Sequence, residues 1–324
     1  MRAAVFTGPG EPLSIQDIDK PEIADDEILV QVAHCGICGT DIHASREGPF
    51  MAPPNTVFGH EFSGEIVDVG SALDGNEFSL GDRVTSLPFI KDLTIGISSK
   101  GAYAEFVKVD PAQVVKIPDA LDDLNGALIE PLAIGLHSVK MTDGVAEKSV
   151  LIIGAGPIGL ACAIWCRFFG AQHIVISEMS EARIDMAKKL GFNDIVDPSG
   201  DVAAQFQEIT NSEAEVQIEC VGAPGLMQQC IERAPSRGLI MGIGLCDAPD
   251  TIMPLVAFSK ELRIQWAVAY DKEDWDFTID MMISGRIDGS AMITNVVSLD
   301  ELPDIFEALR SPTDQCKVII DLKA

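Results

Sequence analysis

The 324-residue sequence predicts an α/β protein, with a doubly wound parallel sheet joined to a second, β-rich domain. Three observations carry this. From 125 to 268, apolar strand-like runs alternate with helix-patterned segments, the texture of a parallel sheet covered by helices. Gly154-Ala155-Gly156-Pro157-Ile158-Gly159 follows one such strand and opens a helix. Residues 1–124 instead hold short β-like runs separated by Gly, Pro and Asp, and residues 269–324 return to a mixed pattern.

Met1-Arg2-Ala3-Ala4-Val5-Phe6 reads as the first strand. Residues 28–32, 64–69 and 104–109 read as further strands, the last two alternating as half-buried strands do. Gly81-Asp82 is a turn entering another strand at Arg83-Val84. In the second region 149–153 is a fully apolar strand, 158–169 a helix and 174–176 the next strand. Residues 181–190 form a helix, with Lys188 and Lys189 in its last turn and Gly191 as its stop. Strands follow at 216–221 and 238–244. Ser298 and Glu301 predict a capping box before a helix ending near Arg310, and 317–322 closes the chain as a strand. The run 150–166 is almost long enough to span a bilayer, but glycines 154, 156 and 159 and Pro157 interrupt it. It reads as a buried strand turning into a buried helix.

Fifty acidic residues face 23 basic ones, for a formal net charge of −27. Such a surface repels polyanions, so nucleic acid and anionic membranes are excluded as partners. It also suits a high-salt habitat, where screening relieves self-repulsion. The eight cysteines are scattered rather than clustered like a secreted disulfide framework, and no signal peptide is visible. Free thiols in a cytoplasmic protein are the expectation.

The glycine loop has the spacing and context of a Rossmann dinucleotide site. Gly154 permits the turn, Gly156 lets the backbone approach a pyrophosphate, and Gly159 lets helix and strand pack closely. Pro157 and Ile158 open the helix whose N-terminus faces the phosphates. Glu178 ends the next strand, about 20 residues on, where an acid binds the adenosine ribose and repels a 2′-phosphate. NAD is therefore expected over NADP, with Arg183 leaving dual use open.

Two short stretches precede this loop: Cys38-Gly39-Thr40-Asp41-Ile42-His43 and Gly59-His60-Glu61. Thiolate sulfur with imidazole nitrogen is the ligand preference of zinc. Alone, Cys35-Gly36-Ile37-Cys38 reads equally as a redox pair, half a zinc knuckle or two buried thiols. Zinc and a nicotinamide in one chain suggest hydride transfer at an alcohol carbon.

With these motifs in this order, essentially the whole chain resembles the zinc-dependent medium-chain dehydrogenases, which include alcohol, sorbitol, butanediol and threonine dehydrogenases. The resemblance implies a GroES-like catalytic domain over 1–124, a Rossmann domain over 125–268, and a segment 269–324 that returns to the first. It implies a catalytic zinc on Cys38 and His60, with Glu130 at the third-ligand position and Glu61 as an alternative or exchanging ligand. Cys35 falls at a non-ligand position and is expected to be a buried thiol. Asp41 is expected to orient His60, since ligating histidines usually donate their other N–H to an oxygen.

By the same resemblance, zinc acidifies a substrate alcohol, Thr40 contacts its oxygen, and His43 passes the proton out. Lys317 falls at a position that meets the cofactor pyrophosphate. Many relatives carry four cysteines after the strand at Arg83-Val84-Thr85-Ser86. Here Leu87-Pro88-Phe89-Ile90-Lys91-Asp92-Leu93 and the run to Gly101 hold none, so one zinc per chain and no structural zinc are expected. A Glu130-type site resembles enzymes of secondary alcohols, diols and polyols, with Phe50, Phe89 and Trp266 or Tyr270 as pocket lining. Relatives form homodimers or homotetramers through the region of 262–268. Two other readings are less well matched by these residues. A zinc-free double-bond reductase would lack Cys38, His60 and Glu130. A non-catalytic binding protein would not need Thr40 and His43 beside the metal motif.

Overall fold

The computed structural model describes residues 1–73, 77–90, 93–311 and 313–323. Lys91 and Asp92 of the cysteine-free run lie outside them. The chain forms two compact units, Met1–Glu130 with Ile293–Ala324, and Pro131–Met292. The crossings thus fall after Glu130 and Met292, where the sequence pattern places them after 124 and 268. The helix Lys272–Ile283, which buries Trp275 and Ile279, belongs to the second unit.

In the first unit the nine-residue strand Ile28–Gly36 is the central element. It pairs antiparallel with Glu61–Val69, Phe106–Val109 and Lys317–Asp321. Its pattern ILVQVAHCG buries both faces along most of its length, so it can only sit inside a sheet. The register sets Gly36 opposite Glu61, and Ile319 opposite Gly36. Three chain segments distant in sequence therefore meet at one end of the sheet. They are the exit of Ile28–Gly36 toward Cys38, the entry of Glu61–Val69 just after His60, and the start of Lys317–Asp321. An aromatic cluster of Phe6, Phe58, Tyr103 and Phe306 supports that end.

The second unit holds a six-stranded parallel sheet in the order Ile195–Val196, His173–Ser177, Ser149–Ile153, Val216–Glu219, Leu239–Gly242, Arg263–Trp266. Numbered along the chain from Ser149, that order is 3-2-1-4-5-6. The sheet reverses direction beside Ser149–Ile153, where such folds bind ligand at the strands' carboxyl ends. The elements predicted for this unit are present with ends moved by at most two residues, while in the first unit the strands predicted at 28–32 and 64–69 extend to Ile28–Gly36 and Glu61–Val69. Pro157 is the first helical residue of Pro157–Phe168, since its missing N–H costs nothing there. Gly191, at φ 85°, follows the end of Glu181–Lys189. The run 150–166 is a buried strand and helix, and among the described residues no helix is long and apolar enough to cross a membrane.

One local prediction is corrected. Ser298 ends the strand Ile293–Ser298, and both its N–H and its hydroxyl donate to Glu301 Oε2. The helix Leu302–Ala308 starts only after Glu301, so the pair links strand to helix and does not form a capping box.

Candidate metal centre and cofactor loop

The short helix Gly39–Ala44 begins at Cys38, whose sulfur accepts from Thr40 N–H at 3.4 Å while its own N–H donates to Asp41 Oδ2 at 3.3 Å. This reciprocal cap fixes the thiol at the helix entrance. His60 arrives from the preceding edge of Glu61–Val69. Cys38, His60 and Glu61 each place a ligand atom within 4.8 Å of the others. His60 Nδ1 lies 3.4 Å from Asp41 Oδ1, and neither buried atom has a hydrogen-bond partner among the described residues. Nδ1 is thus turned to a carboxylate, which leaves Nε2 for a metal. A thiol, an imidazole and a carboxylate converging in a buried pocket match what zinc takes, so the residues fit the ion.

Charges at this site are strongly coupled. Burial pushes the His60 imidazole toward neutrality, but Asp41 and Cys38 outweigh it and hold its pKa well above the ordinary value. Burial and Glu61 raise the Cys38 thiol, against the pull of His60. A bound cation reverses this balance by favouring the thiolate and the neutral imidazole.

Glu61 has a partner that sequence reasoning missed. Lys317 Nζ donates to Glu61 Oε1 at 2.7 Å, to Oε2 at 2.6 Å, and to Ile37 O at 3.1 Å. An ammonium has three donors, and all three are used. The side chain, expected from the resemblance to meet the cofactor pyrophosphate, is 2% exposed and turned to Glu61. Burial disfavours the charged lysine, yet Glu61, Cys38 and Glu130 hold its pKa above the ordinary value. Gly36 makes room for the pair, since a Cβ there would lie 2.1 Å from Glu61 Oε2.

Glu130 is buried in the first turn of Ile129–Lys140. It lies outside the Cys38–His60–Glu61 cluster, though its charge is felt by Lys317. Thr40 and His43 are half-buried on the helix Gly39–Ala44, three residues apart and so on one side of it. Cys35 is buried, with its thiol raised by burial, and stands outside the cluster. Phe50 and Phe89 are exposed in the first unit. In the second unit Trp266 lies over Gly242 on the sheet edge, and Tyr270 packs edge-on against Trp275 at 4.8 Å.

The glycine loop has its expected conformation. Gly154 sits at φ 96°, and a Cβ at Gly159 would lie 1.9 Å from Gly154 O. Gly156 is the residue before Pro157 and Ile158 start the helix. Glu178 is buried and turned to this loop. Oε2 accepts from Ala155 N–H at 2.9 Å, and Oε1 from Met179 and Ser180 N–H at 2.8 and 2.9 Å. Arg183 Nη1 stands 4.0 Å from Glu178 Oε2. The acid therefore braces the loop, a role its sequence position alone did not reveal. Sequence reasoning also assigned no role to His137, whose Nδ1 lies 2.6 Å from the buried Asp274, which Lys140 also pairs. That cluster joins two helices distant in sequence, and no local motif marks it.

Fold and site together define a zinc-dependent oxidoreductase with a dinucleotide-binding domain. Residues 24–119 match the alcohol dehydrogenase GroES-like domain family, and residues 157–284 match the zinc-binding dehydrogenase family. L-threonine 3-dehydrogenase of Rhizobium etli is 30% identical over 343 residues, covering 99% of this chain and 98% of that one. (R,R)-butanediol dehydrogenase of Bacillus subtilis is 29% identical over 336 residues, covering 95% and 96%. The crystal structure of 2R,3R-butanediol dehydrogenase from Bacillus subtilis superposes with a TM-score of 0.89 at 29% identity, over 99% of each chain. A protein assigned as a zinc-binding dehydrogenase from Sinorhizobium meliloti 1021, solved with NADP, gives 0.89 at 30% identity over 99% of each chain. The chain belongs to the zinc-type, medium-chain alcohol dehydrogenase family. It is an oxidoreductase of alcohols that uses zinc and a nicotinamide cofactor.

Proposed function

We propose that this protein oxidises a secondary alcohol, diol or polyol to the ketone with NAD, and catalyses the reverse, using one zinc ion per chain and no structural zinc. The observation that carries the zinc assignment is the convergence of Cys38, His60 and Glu61 within 4.8 Å, with Asp41 behind His60. Cys38 and His60 hold the ion, and Glu61 and Glu130 supply the exchangeable carboxylate. Bound zinc supplies Lewis acidity toward the alcohol oxygen. Thr40 accepts a hydrogen bond from the alcohol and would donate its own hydroxyl proton onward as the alcohol's is released, and His43, three residues on, would hand the proton to solvent. Glu61, paired with Lys317, adjusts the charge around the ion.

Gly154, Gly156, Pro157, Ile158 and Gly159 receive the pyrophosphate, and Glu178 with Arg183 meets the adenosine ribose. The carboxylate there favours NAD. The secondary-alcohol reading is supported by the names of the threonine and butanediol dehydrogenases. A homodimer or homotetramer is supported by the edge strand Arg263–Trp266, flanked by the exposed Phe258 and Val268. A cytoplasmic location fits cysteines scattered along the chain rather than clustered as in a secreted disulfide framework. The test is a panel of alcohols, diols and polyols with NAD and with NADP, followed by absorbance of the reduced cofactor. Turnover of secondary hydroxyls with NAD is expected; turnover confined to primary alcohols, or none, overturns the reading.

A further inference from the structure

We propose that Tyr103 is a positioning residue of the metal centre, holding the Asp41 carboxylate through its hydroxyl and the backbone ahead of His60 through its ring. This rests on the reading of Cys38 and His60 as zinc ligands.

The chain binds Tyr103 on all sides. Residues 101–103 lie along 57–59, the segment that leads into His60. Gly101 N–H donates to Val57 O, Ala102 N–H to Gly59 O, and Tyr103 N–H to Phe58 O, at 2.7–2.9 Å. The ring then covers Gly59. A Cβ at Gly59 would lie 2.4 Å from Tyr103 Cδ1 and 2.8 Å from Cε1, so the glycine exists to let the ring pass. Phe306 meets the ring edge-on at 6.4 Å. With its ring fixed, the hydroxyl has one direction to point, and it donates to Asp41 Oδ2 at 2.6 Å.

Asp41 has two oxygens with separate tasks. Oδ2 accepts from Tyr103 and from Cys38 N–H, and Oδ1 faces His60 Nδ1. The Tyr103 bond is short and charge-assisted, and it is fully buried, where such bonds are strongest. It fixes the carboxylate's rotation, and with it the direction in which His60 is held. One side chain thus governs both approaches to His60, from the backbone and from the imidazole's far nitrogen. Phenylalanine would fill the same space, so packing alone does not call for the hydroxyl. Tyr103 touches no reacting atom; it acts through Asp41.

The test compares the parent protein with Tyr103→Phe, Asp41→Asn and the double variant. Zinc affinity is read by competition with a chromogenic chelator, and ligand geometry by the visible spectrum of the cobalt(II)-substituted protein. Tyr103→Phe is expected to weaken zinc binding about three- to tenfold, less than the roughly 10–100-fold for a group that holds a ligating histidine directly, because Tyr103 acts one step further out through Asp41. It should also shift the cobalt bands. In the Asp41→Asn background the same change should add nothing, because the two act as one unit. Parent-like affinity and bands in Tyr103→Phe, or an equal loss with and without Asp41, overturn the proposal. Should Tyr103→Phe fail to fold, the two tyrosines of the chain can be replaced by 3-fluorotyrosine, with Tyr270→Phe assigning the signals. The Tyr103 fluorine resonance should move when zinc is added, and an unmoved resonance overturns the proposal. Cys38→Ser with undiminished zinc affinity would instead remove the ligand reading beneath it.

Discussion

The Lys317 ammonium lies 2.6 Å from Glu61 Oε2, and both side chains are closed off from solvent. The two residues are 256 positions apart and meet because the strands that carry them flank Ile28–Gly36. A buried pair of this kind is costly to break from one side, since the remaining charge has no water to turn to. Lys317→Met is therefore expected to lower the stability of the metal-free protein by about 3 kcal/mol. Zinc should recover part of the loss by taking up the Glu61 charge. Urea unfolding of both proteins with and without zinc measures this; an equal deficit in both conditions would contradict it.

Cys38→Ala removes the thiol from the Cys38–His60–Glu61 cluster and leaves the glycine loop, in the other unit, intact. Metal analysis should fall from about one zinc per chain to well below it. Alcohol-dependent formation of reduced cofactor should vanish while NAD still binds in a fluorescence titration. Two zinc ions per parent chain, or persistent turnover in the variant, would be the contrary result.

Glu178 accepts three backbone N–H groups, one of them from Ala155 inside the glycine loop. Glu178→Ala strips those acceptors and frees the loop. A stability loss of about 2 kcal/mol is expected, in the range for hydrogen bonds to a charged group. NAD affinity should fall about tenfold, equivalent to about 1.4 kcal/mol, and NADP affinity should fall less. Calorimetric titration with both cofactors decides it, and an unchanged NAD affinity would leave Glu178 a purely local brace.

Asp274 is fully buried between His137 and Lys140. Burial raises its carboxyl, but Lys140 and His137 outweigh that and hold it below the ordinary value. A depressed carboxyl adds stability above the unfolded pKa of about 3.9 and loses it as pH falls through the lower folded value. Asp274→Asn should thus cost about 2–3 kcal/mol at neutral pH. The gap to the parent should close below about pH 4. Urea midpoints across pH 3–7 would show this, and a gap independent of pH would assign the loss to packing.

Much of the fold was legible because period and punctuation are local. Ser149–Ile153 is apolar throughout and is followed by the glycine loop, so strand, turn and helix could be placed within a residue or two. The capping box predicted at Ser298 does not form, and the reason is not local. The strand Ile293–Ser298 holds that residue's backbone in the sheet, and tertiary pairing overrides the cap. Sulfur with imidazole suggested zinc, but it was the resemblance to a known family that pointed to Cys38 and His60 rather than Cys35. Nothing in the spacing marked Tyr103, since an aromatic in an apolar run reads as core and its hydroxyl partner lies 62 residues away.

The resemblance to a known family named the sulfur–imidazole pair, while sequence patterning alone determined the α/β class and the dinucleotide loop. These depend on residue type and short-range spacing, which the chain carries wherever it goes. Only the tertiary structure decided what each charged group faces. Lys317 turns to Glu61, Glu178 turns to Ala155, and Tyr103 turns to Asp41. The first pairing follows from strand register, which sums contacts over the whole sheet, and the other two from where the segments beyond the strands are laid, so no single motif encodes them.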